Sequence, residues 1–222
     1  MTRGARLGPT DIDDVLTTTR AVRKRLDLSR PVDRPVIEQC VDLALQAPNG
    51  SNQQTWRWVI VDDPDVRHDL VAIYVAAMDD YINRDRRGSP PPRTDSSPAR
   101  QRMIESVLWL RQHFDEVPVL VVPTVGGRTD GGSIFQQASR WGSIIPAIWS
   151  FMLALRSRGL GSAWTTLHLH REREAADLLG IPYDHNMQAG LFPVAYTLGT
   201  SFKSASRVPA ADVIGWNTFP TA

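Results

Sequence analysis

Ala47-Pro48-Asn49-Gly50-Ser51-Asn52-Gln53-Gln54-Thr55-Trp56 marks the point where a helical pattern gives way to a strand. Before it, Val36, Ile37, Cys40, Val41, Ala44 and Leu45 recur at helical spacing. Asp33 is placed to cap that helix and Pro35 suits its first turn. Pro48 and Gly50 stop it. After it, Trp56-Arg57-Trp58-Val59-Ile60-Val61 reads as a buried strand. A short loop of amides and hydroxyls is thus held between two rigid elements, where binding groups tend to lie. Asn52 and Gln54 can each donate and accept, which suits a flat heteroaromatic ligand with alternating donors and acceptors. An ordinary polar helix-to-strand turn would read the same way.

Outward from the loop, 222 residues imply one large domain able to bury a sizeable core. Apolar content of 42% against 22% charged residues points to a globular chain. A net charge of +1 gives no general case for nucleic acid. The lone Cys40, on an apolar helix face, excludes an intramolecular disulfide and reads as a small core residue. No run of ~18 apolar residues exists, so nothing reads as a membrane span. The N-terminus, with Arg3, Arg6, Asp11, Asp13 and Asp14, lacks an apolar signal core, so a cytoplasmic protein is expected.

Along the chain, Thr10 and Asp13 read as a capping box ahead of the face Ile12, Val15, Leu16 and Thr19. The following Arg20-Ala21-Val22-Arg23-Lys24-Arg25 has the charge to hold a phosphate, and equally suits a solvated basic helix end. Asp63 is placed to cap a helix carrying Val66, Leu70, Ile73, Tyr74 and Ala77. From Asp79 to Arg102, four prolines and six arginines make a segment that cannot bury a core of its own. It reads either as a solvated loop or as a mobile lid that attracts an anionic donor. Met103 to Leu110 is an amphipathic helix, and Pro118 to Val122 a short buried strand. Gly126 to Gly132 is a flexible loop with neither phosphate-binding glycine pattern. Gln136 to Arg158 is a helix apolar on more than one face, buried in a core or an interface and ended by Gly159. Ala163-Trp164-Thr165-Thr166 reads as a short strand, after which His168 and His170 alternate at strand spacing, a weak metal signal. Arg171 to Leu179 is a helix closed by Gly180, and Gly190 to Gly199 a strand. Lys203 and Arg207 follow on what could be a solvated tail.

Four of these stretches, in order, resemble the FMN-dependent nitroreductase family. The opening loop resembles its A-P-S-G-x-N-x-Q-P-W signature, with Asn49 for Ser and Thr55 for Pro. Arg20-Ala21-Val22-Arg23 resembles R-S-V-R, Ala21 costing one hydroxyl contact. Gly159-Leu160-Gly161 matches the G-L-G turn after a central helix, where Trp149-Ser150 replaces a frequent Gln-Asn. Pro193-Val194-Ala195-Tyr196-Thr197 resembles P-V-G-Y-P. The resemblance runs from about Val15 to Trp216.

It implies an α+β fold with a mostly antiparallel sheet flanked by helices, in an intertwined homodimer with FMN at two interface sites. It makes Arg20, Ala21, Arg23, Asn49, Ser51, Asn52, Gln54, Trp164, Thr165, Thr166, Lys203 and Arg207 the candidate cofactor-binding residues. Of these, Arg20, Arg23 and Arg207 meet the phosphate end, with Lys203 as a helper, and Trp164 to Thr166 lie beside the ring. The implied reaction is hydride transfer from NAD(P)H through flavin N5 to a nitroaromatic, quinone or similar acceptor, with no side-chain triad and no metal. A deazaflavin donor, or a dehalogenation or cofactor-fragmentation chemistry, stays open on the same fold. So do a flavin-storage protein without turnover and, using the Asp79–Arg102 arginines, a regulatory nucleic-acid module.

Overall fold

The computed structural model describes residues 11–85 and 97–220, the side chains of 84 and 85 excepted. In chain order the elements are α1 (Ile12–Thr18), α2 (Arg34–Ala44), β1 (Trp56–Val61), α3 (Pro64–Asp85), α4 (Pro98–His113) and β2 (Val119–Gly126). Then come α5 (Ile134–Arg156), β3 (Leu160–Ser162), α6 (Glu172–Leu179), β4 (Asn186–Gln188) and β5 (Phe192–Tyr196). The strands run in the order β1-β2-β5-β3, with β4 pairing the far end of β2. Every paired neighbour is antiparallel, so the expected α+β sheet is the one observed.

β2 is the centre of the sheet and is buried on both faces. Strand alternation sends Val119, Val121 and Val125 into one core and Leu120 and Val122 into another. The first core is closed by α2 and α5, the second by α3, α4 and α6 together with Val22 and Leu26. The result is helices on both faces of a mostly antiparallel sheet. Cys40 is fully buried in the first core, and burial pushes its thiol up to about 12, so it is inert packing.

β1 has the bounds read from sequence, and α5 starts two residues earlier than expected, at a capping box between Ser133 and Gln136. Several local expectations are corrected. Thr10 lies outside the described residues, and Asp11 caps α1 instead, accepting from the amides of Asp13 and Asp14. Asp33 occupies the N-cap of α2 without a side-chain hydrogen bond, whereas Asp63 accepts from Asp65 and Val66 as expected. The segment expected to lack structure from Asp79 to Arg102 is helical at both ends, because α3 runs to Asp85 and α4 starts at Pro98. Arg111 and Arg171 hold Asp79 and Asp80 there. The middle of that segment, with Arg86, Arg87, Arg93 and Pro90 to Pro92, and the side chain of Arg84 lie outside the described residues.

The loop after β2 is anchored rather than free. Arg128 is nearly buried, pairs with Glu172 and Asp130, and donates to the carbonyls of Tyr183 and Asn186. Its pKa is raised, first by the hydrogen bond to Glu172. His168 and His170 do not share a strand face. They lie in a 3-10 turn over Leu167–Arg171, His168 fully buried and His170 exposed against the Tyr81 ring. No helix among the described residues is long and apolar enough to cross a membrane.

Candidate functional site

The opening loop is the most strained backbone in the chain. Of four non-glycine residues with positive φ among the described residues, three are Ser51, Asn52 and Gln54. Such a conformation disfavours a Cβ and persists only where neighbours enforce it. Here Asn49 Oδ1 accepts from the Gln54 amide at 2.9 Å, and Asn52 Oδ1 accepts from Gln54 Nε2 at 3.1 Å. The Gly50 amide donates to Ser143 Oγ on α5 at 3.0 Å, which docks the loop on that helix. Ser51 to Thr55 remain exposed, so the strain presents hydroxyls and amides to solvent instead of packing them away. A small polar pocket of about 60 Å³ lies between Ser51, Ser139, Arg140 and Ser143. A larger cleft of about 600 Å³ opens on the other side, between Gln54, Arg57, Ile181 and Asn186.

The basic segment is held elsewhere. Ala21 bridges to Ser162 of β3, and the Val22 amide donates to the Ser162 carbonyl at 2.8 Å. This close approach requires Gly161: a Cβ there would lie 2.7 Å from Thr197 Cγ2 and 2.9 Å from Val22 Cβ. Arg20, Ala21 and Arg23 therefore sit beside the strand that leads directly into Trp164, Thr165 and Thr166. Arg20 makes no hydrogen bond or ion pair among the described residues. Arg23 is half-buried, with one contact to Ser106 Oγ at 3.4 Å and no carboxylate among the described residues. Burial lowers its pKa, with an opposing pull from Tyr74. Two guanidinium groups without carboxylate partners among the described residues, one of them partly desolvated, have the chemistry an anion requires.

The segment after β3 differs from its sequence reading. Thr165 is buried and pairs with Leu191 through both backbone bonds, and its hydroxyl also donates to the Leu191 carbonyl at 2.6 Å. Trp164 Nε1 donates to the Ala189 carbonyl at 2.9 Å. Gly190 leaves room for that indole, since a Cβ there would come within 2.5 Å of Nε1. These side-chain donors are spent inside the protein. Thr166, exposed and without a side-chain partner among the described residues, is the free hydroxyl of the three. Lys203 and Arg207 lie on an exposed tail, where Arg207 touches only the Ser206 carbonyl among the described residues.

One chain does not bring all the candidates together. The loop docks at Ser143 near the middle of α5, whereas Arg156, at the C-terminal end of that helix, meets Thr18, two residues before Arg20. Ser143 and Arg156 are separated by about 20 Å of helix rise. Two groups of candidates thus lie well apart along α5, the amide loop near its middle and the basic segment at its C-terminal end. The docking serine and the arginine contact to Thr18 were not singled out from sequence. Ser139 and Ser143, one helical turn apart, were the available signal.

Known proteins share this fold. The chain is 28% identical over 185 residues to iodotyrosine deiodinase 1 of Rattus norvegicus, covering 82% of this chain. It spans 61% of that curated relative's length. Among solved structures, a BluB-like flavoprotein from Clostridium difficile 630 superposes with a TM-score of 0.71 at 18% identity, over 94% of this chain and 99% of the other. Oxidised iodotyrosine deiodinase bound to FMN and 3-iodo-L-tyrosine superposes with a TM-score of 0.68 at 20% identity, over 93% and 99%. The fold is therefore shared at low identity. The family model for the Nitroreductase family matches residues 16–196, from within α1 to the end of β5, and the chain belongs to that family.

Proposed function

We propose that the protein is an FMN-dependent oxidoreductase that takes reducing equivalents from NAD(P)H and passes them to a small nitroaromatic, quinone or similar acceptor. The observation that carries it is the pair Arg20 and Arg23, without carboxylate partners among the described residues, fixed beside β3 in a nitroreductase-family chain. The residues fit the cofactor. The two guanidiniums match one terminal phosphate, the Thr166 hydroxyl is unspent, and the strained loop exposes the Ser51, Asn52 and Gln54 groups that a pyrimidine edge would pair with. When bound, FMN supplies the hydride-carrying ring, and the chain supplies position and electrostatics. Arg20 and Arg23, helped by Lys203 and Arg207, neutralise the phosphate and orient the ribityl chain. Asn49 holds the loop's shape through its bond to the Gln54 amide. The cleft beside Gln54 has the size of a small-molecule site and gives the acceptor a route of approach.

The site is completed by a second copy of the chain. The amide loop and the basic segment lie about 20 Å apart along α5, and a two-fold pairing sets one protomer's loop against its partner's arginines. Exposed Ile134, Phe135 and Trp149 on α5, and Val208, Ile214, Trp216 and Phe219 on the tail, are the apolar surface such a partner would cover.

Release of the bound pigment by heat, followed by chromatography, is expected to yield FMN. Arg20→Ala and Arg207→Ala are each expected to weaken FMN binding by about 1.5–3 kcal/mol, with the flavin spectrum at saturation unchanged. FAD alone, or no uptake from excess FMN, would refute the reading.

A second reading is favoured by the deiodinase likeness over 82% of the chain. It is reductive dehalogenation of a halogenated phenol, in which two electrons and a proton replace carbon–halogen by carbon–hydrogen and release halide. Halide release from a halotyrosine under reducing conditions, with no nitroaromatic turnover, would select it.

A further inference from the structure

Two arginines outside the expected cofactor set converge on one short segment. Arg25 donates from Nε and Nη2 to the Leu198 carbonyl at 3.0 and 2.8 Å, from Nη2 to Gly199 at 3.0 Å, and from Nη1 to Ser201 at 2.8 Å. Arg156 donates from Nη2 to the Thr200 carbonyl at 2.9 Å and from Nε to Thr18 Oγ1 at 3.2 Å. Four successive carbonyls, 198 to 201, are thus taken by two guanidiniums. The Phe202 ring is held by both, with the guanidinium carbons at 4.0 Å for Arg25 and 4.6 Å for Arg156. The Leu198 amide closes the set by donating to the Arg25 carbonyl at 2.8 Å.

This is an expensive arrangement for a simple tie. Arg156 is only 5% exposed, and neither arginine has an ion pair among the described residues. Burial and the neighbouring Arg25 charge lower the Arg156 pKa, and Asp14 only partly offsets them. Two cations have been brought close together to saturate carbonyls, a task for the guanidinium fork and not for a point charge. The segment they saturate ends one residue before Lys203 and five before Arg207.

We propose that Arg25 and Arg156 are positioning residues that clamp residues 198–202 and so set where the basic arm, Lys203 and Arg207, leaves the domain to reach the cofactor phosphate. The proposal rests on the reading of Arg207 as a phosphate ligand. Its physical basis is preorganisation: a pinned origin reduces the ordering cost that a free tail would incur on binding.

The test uses the full-length chain with Arg25→Lys, Arg156→Lys and Arg207→Ala, alone and in pairs. FMN affinity, thermal midpoint and chymotryptic cleavage after Phe202 are measured for each. The lysine variants keep the charge and lose the fork. Each is expected to weaken FMN binding roughly tenfold and to speed cleavage after Phe202, with the flavin spectrum at saturation unchanged. In the Arg207→Ala background the same changes are expected to weaken binding by no more than about twofold, since coupled residues are non-additive. A full additional loss there would show that the arginines act on the fold or on FMN directly, and overturns the proposal. So does wild-type affinity in both lysine variants while Arg207→Ala binds weakly. Wild-type affinity in Arg207→Ala itself would instead overturn the phosphate reading, and the positioning role with it.

Discussion

At the scale of single residues, burial decides which groups can titrate usefully. His168 is fully buried, and among the described residues neither ring nitrogen nor the neighbouring Gln188 Oε1 makes a hydrogen bond of ordinary geometry. Burial pushes the His168 pKa down to about 4, and the Gln188 side chain, close but poorly placed, opposes it. A group whose folded pKa lies below its unfolded value contributes stability that is fully present above the unfolded value and lost as pH falls through the folded one. For His168 that window runs from about 6.5 down to about 4. The expected loss between neutral pH and about pH 5 is about 2 kcal/mol, read from urea unfolding. His168→Asn should lack this component. If wild type and variant lose stability in parallel over the window, His168 is not buried neutral. His68 works in the opposite sense: Asp115 raises its pKa, so the pair strengthens as pH falls, but it is exposed and screened.

At the scale of elements, the junction between β3 and the basic segment is tightly packed. Gly161 faces Thr197 on one side and Val22 on the other, with no room for a methyl group. Gly161→Ala is expected to destabilise the protein by about 1–3 kcal/mol, the range for overpacking. Because Val22 lies between Arg20 and Arg23, the same change should also weaken FMN binding. Unchanged affinity alongside reduced stability would mean that the arginines do not depend on this contact. The loop at Asn49 to Gln54 obeys a different logic. Its positive φ values are maintained by Asn49, which spends its side chain on the Gln54 amide, and by Ser143 on α5.

At the scale of the molecule, one chain holds the amide loop and the basic segment apart along α5 and leaves an apolar surface uncovered. Trp216 is 85% exposed and Phe219 91% exposed, values unusual for such large side chains unless something covers them. Sedimentation at low micromolar concentration is expected to give twice the 24.8 kDa chain mass. The buried area should exceed ~2,000 Å², as in interfaces that resemble a cut core. A folded, FMN-loaded monomer would refute both the dimer and the shared site.

Features carried by local chemistry were legible in the order of residues. The helix stopped by Pro48 and Gly50, the strand from Trp56 to Val61, the buried Cys40 and the αL cap at Gly180 depend on periodicity and on residues with narrow backbone preferences. The order of the basic and amide motifs pointed to the family whose model matches residues 16–196. Only the tertiary structure decided which of the candidate donors remain free. Thr165 and Trp164 satisfy carbonyls at Leu191 and Ala189, some 25 residues away, and no local pattern encodes that pairing. It alone separated His168 from His170, since a 3-10 turn rotates the two side chains that strand spacing would align. It also decided the distance between the two halves of the site and the meeting of Arg25 and Arg156 on residues 198–202. Those are contacts between groups far apart in the chain, and the order of residues does not carry them until the sheet and α5 bring the segments together.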